Sequence, residues 1–167
     1  MILKITDQHD LENVMALWKD KEVMMFVGFA NGLEVTMQQL ENWLKWTKEK
    51  QENRRHFSIY DDENTYCGES FYDILENGYV VLDIKLFKKA RGKGIAYWAL
   101  KETISQAFEQ EKAQTCYVDP HKSNDKAIVL YEKIGFIKSE YPAWLAKDAN
   151  EMHQYMYLDR KKFFKKV

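Results

Sequence analysis

The chain of 167 residues carries a formal net charge of −1, and 46% of its residues are hydrophobic and 14% aromatic. That suffices for a single domain over residues 1–167 with a substantial core, excludes intrinsic disorder and argues against bulk nucleic-acid binding. Cys67 and Cys116 furnish neither a disulfide framework nor a metal site, and with no leader-like start and no membrane-length apolar run the expectation is a cytoplasmic protein without a membrane partner.

Residues 2–5 read as a short first strand. Thr6 or Asp7 can cap a helix with Leu11, Val14, Met15 and Trp18 on one side. The stretch 21–33 is apolar, broken by glycines and without a clean period; its Met24, Met25, Phe26 and Phe29 are either core or one wall of an acceptor pocket. Thr36 with Gln39 forms a capping box for a helix predicted to reach residue 50, with Leu40, Trp43, Leu44 and Thr47 in register. Antiparallel strands are predicted at 56–60, 65–74 and 79–87, the last two joined by the hairpin signal Glu76-Asn77-Gly78. A helix follows over about 92–111. The next strand, 115–118, comes after that helix, so it should lie parallel to 79–87. The loop 119–124 leads to a helix at 125–134, stopped by Gly135. Residues 136–141 and 152–158 read as a final hairpin, and the basic tail 160–167 as a solvated end.

The turn between strand 79–87 and its following helix stands out. Val80, Leu82, Ile84 and Leu86 alternate, whereas Ile95, Ala99, Leu100, Thr103, Ile104, Ala107 and Phe108 recur at helical spacing. Between them lies Lys88-Lys89-Ala90-Arg91-Gly92-Lys93-Gly94. A helix start offers unpaired N–H groups and a positive dipole end, and glycines let main chain approach a ligand, so the turn suits a phosphate. The P-loop pattern is absent, and a dinucleotide fingerprint would need a third glycine where Tyr97 stands. The plain alternative is an ordinary strand-to-helix turn with solvated lysines.

A second motif, Asn124-Asp-Lys-Ala-Ile-Val-Leu-Tyr-Glu-Lys-Ile-Gly-Phe136, follows some thirty residues later. The two together resemble the GCN5-related N-acetyltransferase (GNAT) family. Lys89-Ala-Arg-Gly-Lys-Gly94 matches its cofactor signature except at the first position, where Lys89 replaces Gln or Arg. Asn124, Ala127, Leu130, Tyr131, Lys133, Gly135 and Phe136 match its later signature. The specific likeness spans residues 79–136; earlier residues match in element order alone.

The resemblance implies acetyl-CoA as cofactor and transfer of its acetyl group to an amine by direct attack in a ternary complex. It implies an α/β fold whose mixed, mostly antiparallel sheet of six or seven strands splays between the fourth and fifth, with helices on both faces. Ile84, Lys85 and Leu86 would then pair with the pantetheine arm. The pyrophosphate would sit on the turn formed by Lys89, Arg91, Gly92, Lys93, Gly94, Ile95 and Ala96, with Asn124 and Lys133 also at the cofactor. By the same resemblance Tyr131 would serve the departing thiolate, its ordinary alternative being a core aromatic.

Asp83 and Glu69 are the candidate bases, with a water chain needing neither as the alternative, and His121 and His153 are further candidates. Asn124 is equally a helix cap. The acceptor stays open. The 24–33 loop, the helix from Thr36 and the Trp144 loop would border it. The N-terminal helices and the 119–124 turn are similar to ribosomal-protein N-terminal acetyltransferases, which implies a protein or peptide α-amine or a small-molecule amine. That turn also resembles aminoglycoside 6′-N-acetyltransferases, for which Asp61, Asp62, Glu63, Asp73 and Glu76 could form an acidic cleft. A non-catalytic acetyl-CoA sensor is the reading from another class, and the final hairpin permits a homodimer.

Overall fold

The computed structural model describes residues 1–49 and 51–165. The predicted helix end at residue 50 and the last two residues of the basic tail lie outside them. Along the chain run β1 (Ile2–Ile5), α1 (Leu11–Lys19), α2 (Lys21–Met24), α3 (Met37–Lys48), β2 (Arg54–Tyr60), β3 (Tyr66–Ile74), β4 (Tyr79–Leu86), α4 (Ile95–Phe108), β5 (Thr115–Val118), α5 (Asp125–Ile134), β6 (Ile137–Lys138), β7 (Met156–Asp159) and α6 (Arg160–Lys165). The strands form one seven-stranded sheet in the order β1-β2-β3-β4-β5-β7-β6. All neighbours are antiparallel except β4 and β5, which are parallel, as the intervening helix requires.

The alternation of β4 decides which face each helix covers. Val80, Leu82 and Leu86 are buried beneath α4, whose Ala99, Leu100, Ile104, Ala107 and Phe108 are fully enclosed. Tyr131 and Ile134 of α5 join that cluster. The register Glu69↔Lys85 and Phe71↔Asp83 puts those four side chains on the opposite face. There α1 and α3 pack through Leu11, Val14, Leu40 and Leu44. The capping box at Thr36 and Gln39 forms in both directions, at 3.2 and 2.8 Å. Asp7 caps a single 3₁₀ turn, Gln8–Asp10, that leads into α1.

Several expectations change. The helix predicted from 92 begins at Ile95, because Gly92 and Gly94 have φ of +77° and +78° and left-handed residues cannot sit within a right-handed helix. The 21–33 stretch contains α2, capped by Asp20, and a 3₁₀ turn at Met25–Val27. Met24 is core, whereas Met25, Phe26 and Phe29 are exposed. The final hairpin is shorter than expected: Ile137↔Tyr157 and Lys138↔Met156 pair, and residues 153 and 154 bond instead to the 120–121 loop. The tail is no plain solvated end. Phe163 in α6 is 5% exposed and lies 5.7 Å from Phe108, a contact that anchors the helix despite its lysines.

Candidate active site

The parallel pairing of β4 with β5 ends at Val81↔Tyr117, while β3 follows β4 as far as Leu86. The second half of β4 therefore has a neighbour on one side alone. Phe87 N–H donates to the Cys67 carbonyl at 3.0 Å, which makes the odd-numbered residues of β4 the ones bonded to β3. The main-chain groups of Ile84 and Leu86 consequently face the gap. Two are engaged by nearby side chains: Ile84 N–H donates to Asp83 Oδ1 at 2.8 Å, and the Leu86 carbonyl accepts from Arg91 Nε at 3.1 Å. Lys85 differs from expectation, since its main chain is turned to β3 and its side chain to the other face of the sheet.

At the end of β4 a 3₁₀ turn, Lys88–Ala90, leads into the two glycines. A β-carbon built on either Gly92 or Gly94 would meet nothing within 4 Å, so the space above both is open. Their positive φ is the requirement for glycine at these positions. The N-cap Gly94 offers no side chain, and among the described residues no hydrogen bond engages the N–H groups of residues 92–97; the first is Trp98 N–H to the Gly94 carbonyl at 3.1 Å. Six free amides around an open bend at a helix start suit a diphosphate. Lys89 and Lys93 are exposed beside it. The Lys133 ammonium lies 5.1 Å from the Tyr97 ring centre, which brings α5 to the first turn of α4. Arg91 does a different job, tying the Leu86 and Glu22 carbonyls together through its guanidinium. The bend and the half-paired strand match the needs of a CoA diphosphate and of an extended amide arm adding like a strand.

Tyr131 is buried at 7% exposure, and nothing among the described residues hydrogen-bonds its hydroxyl. Burial, with the carboxylates of Asp83 and Asp119 within electrostatic reach, pushes its pKa well above the ordinary value. It stays protonated at every physiological pH. Asn124 caps α5 by accepting from Ala127 N–H at 3.2 Å, and its side-chain amide remains available as a donor.

The two predicted bases differ sharply. Glu69 is buried at 2% exposure and accepts from Trp18 Nε1 at 2.9 Å, from Lys85 Nζ at 3.2 Å and from His56 Nε2 at 3.3 Å. Burial alone would raise its pKa, but Lys85, His56 and Trp18 outweigh burial and hold it down at about 2. Such a carboxylate is a weak proton acceptor, and its geometry suits positioning Lys85 and Trp18. Asp83 is about one-third exposed and pairs with Lys85 Nζ. Burial alone would lower the Lys85 pKa; its two carboxylates more than offset that and keep it charged.

Asp119 was not among the sequence candidates. It follows the last residue of β5, and burial raises its carboxyl pKa, with His153 Nδ1 at 3.9 Å opposing the shift. Its signal was positional: ligands of parallel strands gather at their carboxyl ends. The main chain of His121 pairs with that of His153, and its Nδ1 is engaged by Ser123 Oγ at 2.7 Å.

A cavity of about 240 Å³ opens beside Asp83, lined by Trp18, Trp43, Trp46, His56, Phe71 and Lys85 among others. Its walls come from α1, α3, β2, β3 and β4; the 24–33 segment expected there contributes none. Trp144 packs on Tyr79 and Tyr117, at 4.8 and 5.8 Å, along the same sheet face. The proposed acidic cleft does not assemble. Asp61–Glu63 and Glu76 sit in turns at opposite ends of β3, and Asp73 is bound by Arg54 at 2.9 Å.

Among the described residues no helix is long and apolar enough to cross a membrane. Comparison with known proteins agrees with the geometry. The family described as "Acetyltransferase (GNAT) domain" matches residues 1–137. No curated protein sequence matches the chain. A spermidine N-acetyltransferase from Vibrio cholerae, solved with CoA and spermine, superposes with a TM-score of 0.80 at 20% identity, over 98% of this chain and 97% of that one. An acetyltransferase of the GNAT family from Streptococcus pneumoniae gives 0.78 at 15% identity, over 95% and 98%. The half-paired fourth strand, the glycine bend and the matched family thus converge, and the chain belongs to the GNAT acetyltransferases, whose cofactor is acetyl-CoA.

Proposed function

We propose that this protein acetylates a primary amine, with Tyr131 as the donor to the leaving thiolate and Asp83 and Asp119 as the groups that receive the amine. When bound, the cofactor supplies the thioester carbonyl that the amine attacks. The amides of residues 92–97 would hold its diphosphate, with Lys89, Lys93 and Lys133 adding charge, and the gap-facing groups of Ile84 and Leu86 would hold its arm. The free Leu86 N–H is suited to polarise a carbonyl as negative charge develops on oxygen.

Magnitudes decide how Tyr131 acts. A thiol has an ordinary pKa of about 8.5 and tyrosine about 10, and the site raises the tyrosine further. Complete proton transfer to the thiolate is uphill, so Tyr131 Oη acts by donating a strong hydrogen bond as charge builds on sulfur. An ammonium must lose its proton before attack. Asp119, whose pKa burial has raised, is the better acceptor of the carboxylates at the gap. Asp83 supplies negative charge that draws the cation in, and Glu69 holds Lys85 and Trp18 in place.

The observation that carries this reading is that Tyr131, a largely buried side chain within electrostatic reach of Asp83 and Asp119, has a hydroxyl that no described residue engages, which leaves it available to donate to a ligand. The amine class is further supported by the spermine-bound Vibrio cholerae neighbour. The test is CoA thiol release across a panel of amines, with Tyr131→Phe alongside. The variant should lose ten-fold or more in kcat while keeping the rise in melting temperature that CoA gives the parent. An unchanged kcat removes Tyr131 from the mechanism.

A further inference from the structure

Resting on the acetyl-transfer reading above, we infer that the acceptor is a small monoamine with one apolar or aromatic arm, the arm occupying the tryptophan-lined cavity and the nitrogen lying at Asp83. The cavity is a ring of aromatic edges. Trp18 and Trp43 meet at 4.9 Å, Trp43 and His56 at 4.7 Å, and His56 and Phe71 at 6.3 Å. These side chains come from separate elements, and together they border about 240 Å³ beside the Asp83 carboxylate. A cavity of about 150 Å³ holds benzene, so this one has room for a phenyl ring or a six-carbon chain.

Charge then separates monoamines from di- and polyamines. Two carboxylates line the cavity, Glu69 and Asp83, and one resident cation, Lys85, contacts both. Glu69 is also occupied by Trp18 and His56. The three charges leave one net negative, and it is accessible at Asp83, which is about one-third exposed although it also contacts Lys85 and the Ile84 N–H; that matches a single ammonium. A second ammonium on the arm would enter among rings with no free carboxylate and would face Lys85. Tryptophan faces can bind cations, yet the Trp46 face already carries the Arg54 guanidinium at 3.6 Å. Burying an unpaired charge is far costlier than burying methylene groups. The arm is therefore uncharged.

The experiment compares initial rates of thiol release for phenethylamine, hexylamine, 1,6-diaminohexane, spermidine and kanamycin, with acetyl-CoA saturating. Hexylamine and 1,6-diaminohexane have the same carbon chain and differ by one terminal amine. We expect kcat/KM at least ten-fold higher for hexylamine and phenethylamine than for 1,6-diaminohexane or spermidine, and no turnover of kanamycin. Quenching of tryptophan fluorescence gives the same order without turnover. Trp46→Ala, at a position 46% exposed, should raise KM for phenethylamine at least five-fold more than it raises KM for ethylamine, which has no arm to fill the cavity. Diamine rates equal to or above the monoamine rates overturn the inference alone, as does a Trp46→Ala enzyme with unaltered phenethylamine KM. If no amine is turned over although CoA raises the melting temperature, the acetyl-transfer reading falls and this inference with it.

Discussion

Glu69→Gln tests the buried charge cluster most directly. In the folded chain the carboxyl pKa is about 2, against an ordinary 4.5. At 1.36 kcal/mol per pH unit this difference stabilises the fold by about 3 kcal/mol at neutral pH. The sign follows from the depression. The contribution is fully present above the unfolded pKa and is lost as pH falls from about 4.5 through about 2. Glutamine keeps the shape but removes the charge that Lys85 and His56 meet, so the variant should lose roughly 2–4 kcal/mol at pH 7. Urea denaturation at pH 7 and at pH 3.5 isolates the residue, because other carboxylates titrate alike in both proteins. The gap between parent and variant should narrow by about 1 kcal/mol or more at the lower pH. An equal stability at pH 7, or a gap that is the same at both, refutes the claim that the cluster holds Glu69 ionised.

Gly94→Ala places a methyl group in open space but at φ +78°, so it should cost about 1–2 kcal/mol of stability and reduce the melting-temperature rise on CoA addition. A CoA response equal to the parent's would separate the bend from the diphosphate. Asp119→Asn should lower kcat/KM by ten-fold or more and remove the acid limb of its pH profile, which in the parent falls as pH drops through a carboxyl pKa raised above the usual range; a retained limb assigns that limb elsewhere. Phe163→Ala should destabilise by about 3 kcal/mol in thermal or urea unfolding, and a change below about 1 kcal/mol would show that α6 is dispensable to the core.

The period switch at residues 79–108 and the two glycines are local properties, and they were legible because a strand, a bend and a helix each write their own pattern into adjacent residues. The hairpin at Asn77-Gly78 and the capping box at Thr36 were readable for the same reason. The aromatic cavity was not. Trp18 and Trp43 sit at helical spacing among core residues, and spacing alone cannot say whether a ring meets another side chain or an empty space. Asp119 was hidden in a turn rich in polar residues, where only the placement of β5 beside β4 gives it meaning. The Glu69 cluster joins α1, β2, β3 and β4, contacts that depend on register across three strands. The helical tail was missed because its lysines suggest a solvated end, and one phenylalanine reverses that through a partner fifty-five positions earlier.

The unpaired stretch of β4 carries a hazard alongside its use. An open strand border in mid-sheet is a template on which any extended segment, including one from another copy of the chain, can dock. Here the Asp83 carboxylate on the Ile84 amide and the Arg91 guanidinium on the Leu86 carbonyl plug two of the available positions with short, reversible contacts. The seam is thus partly covered by its own side chains, and entry of an extended guest is an exchange of hydrogen bonds in place of their creation from nothing.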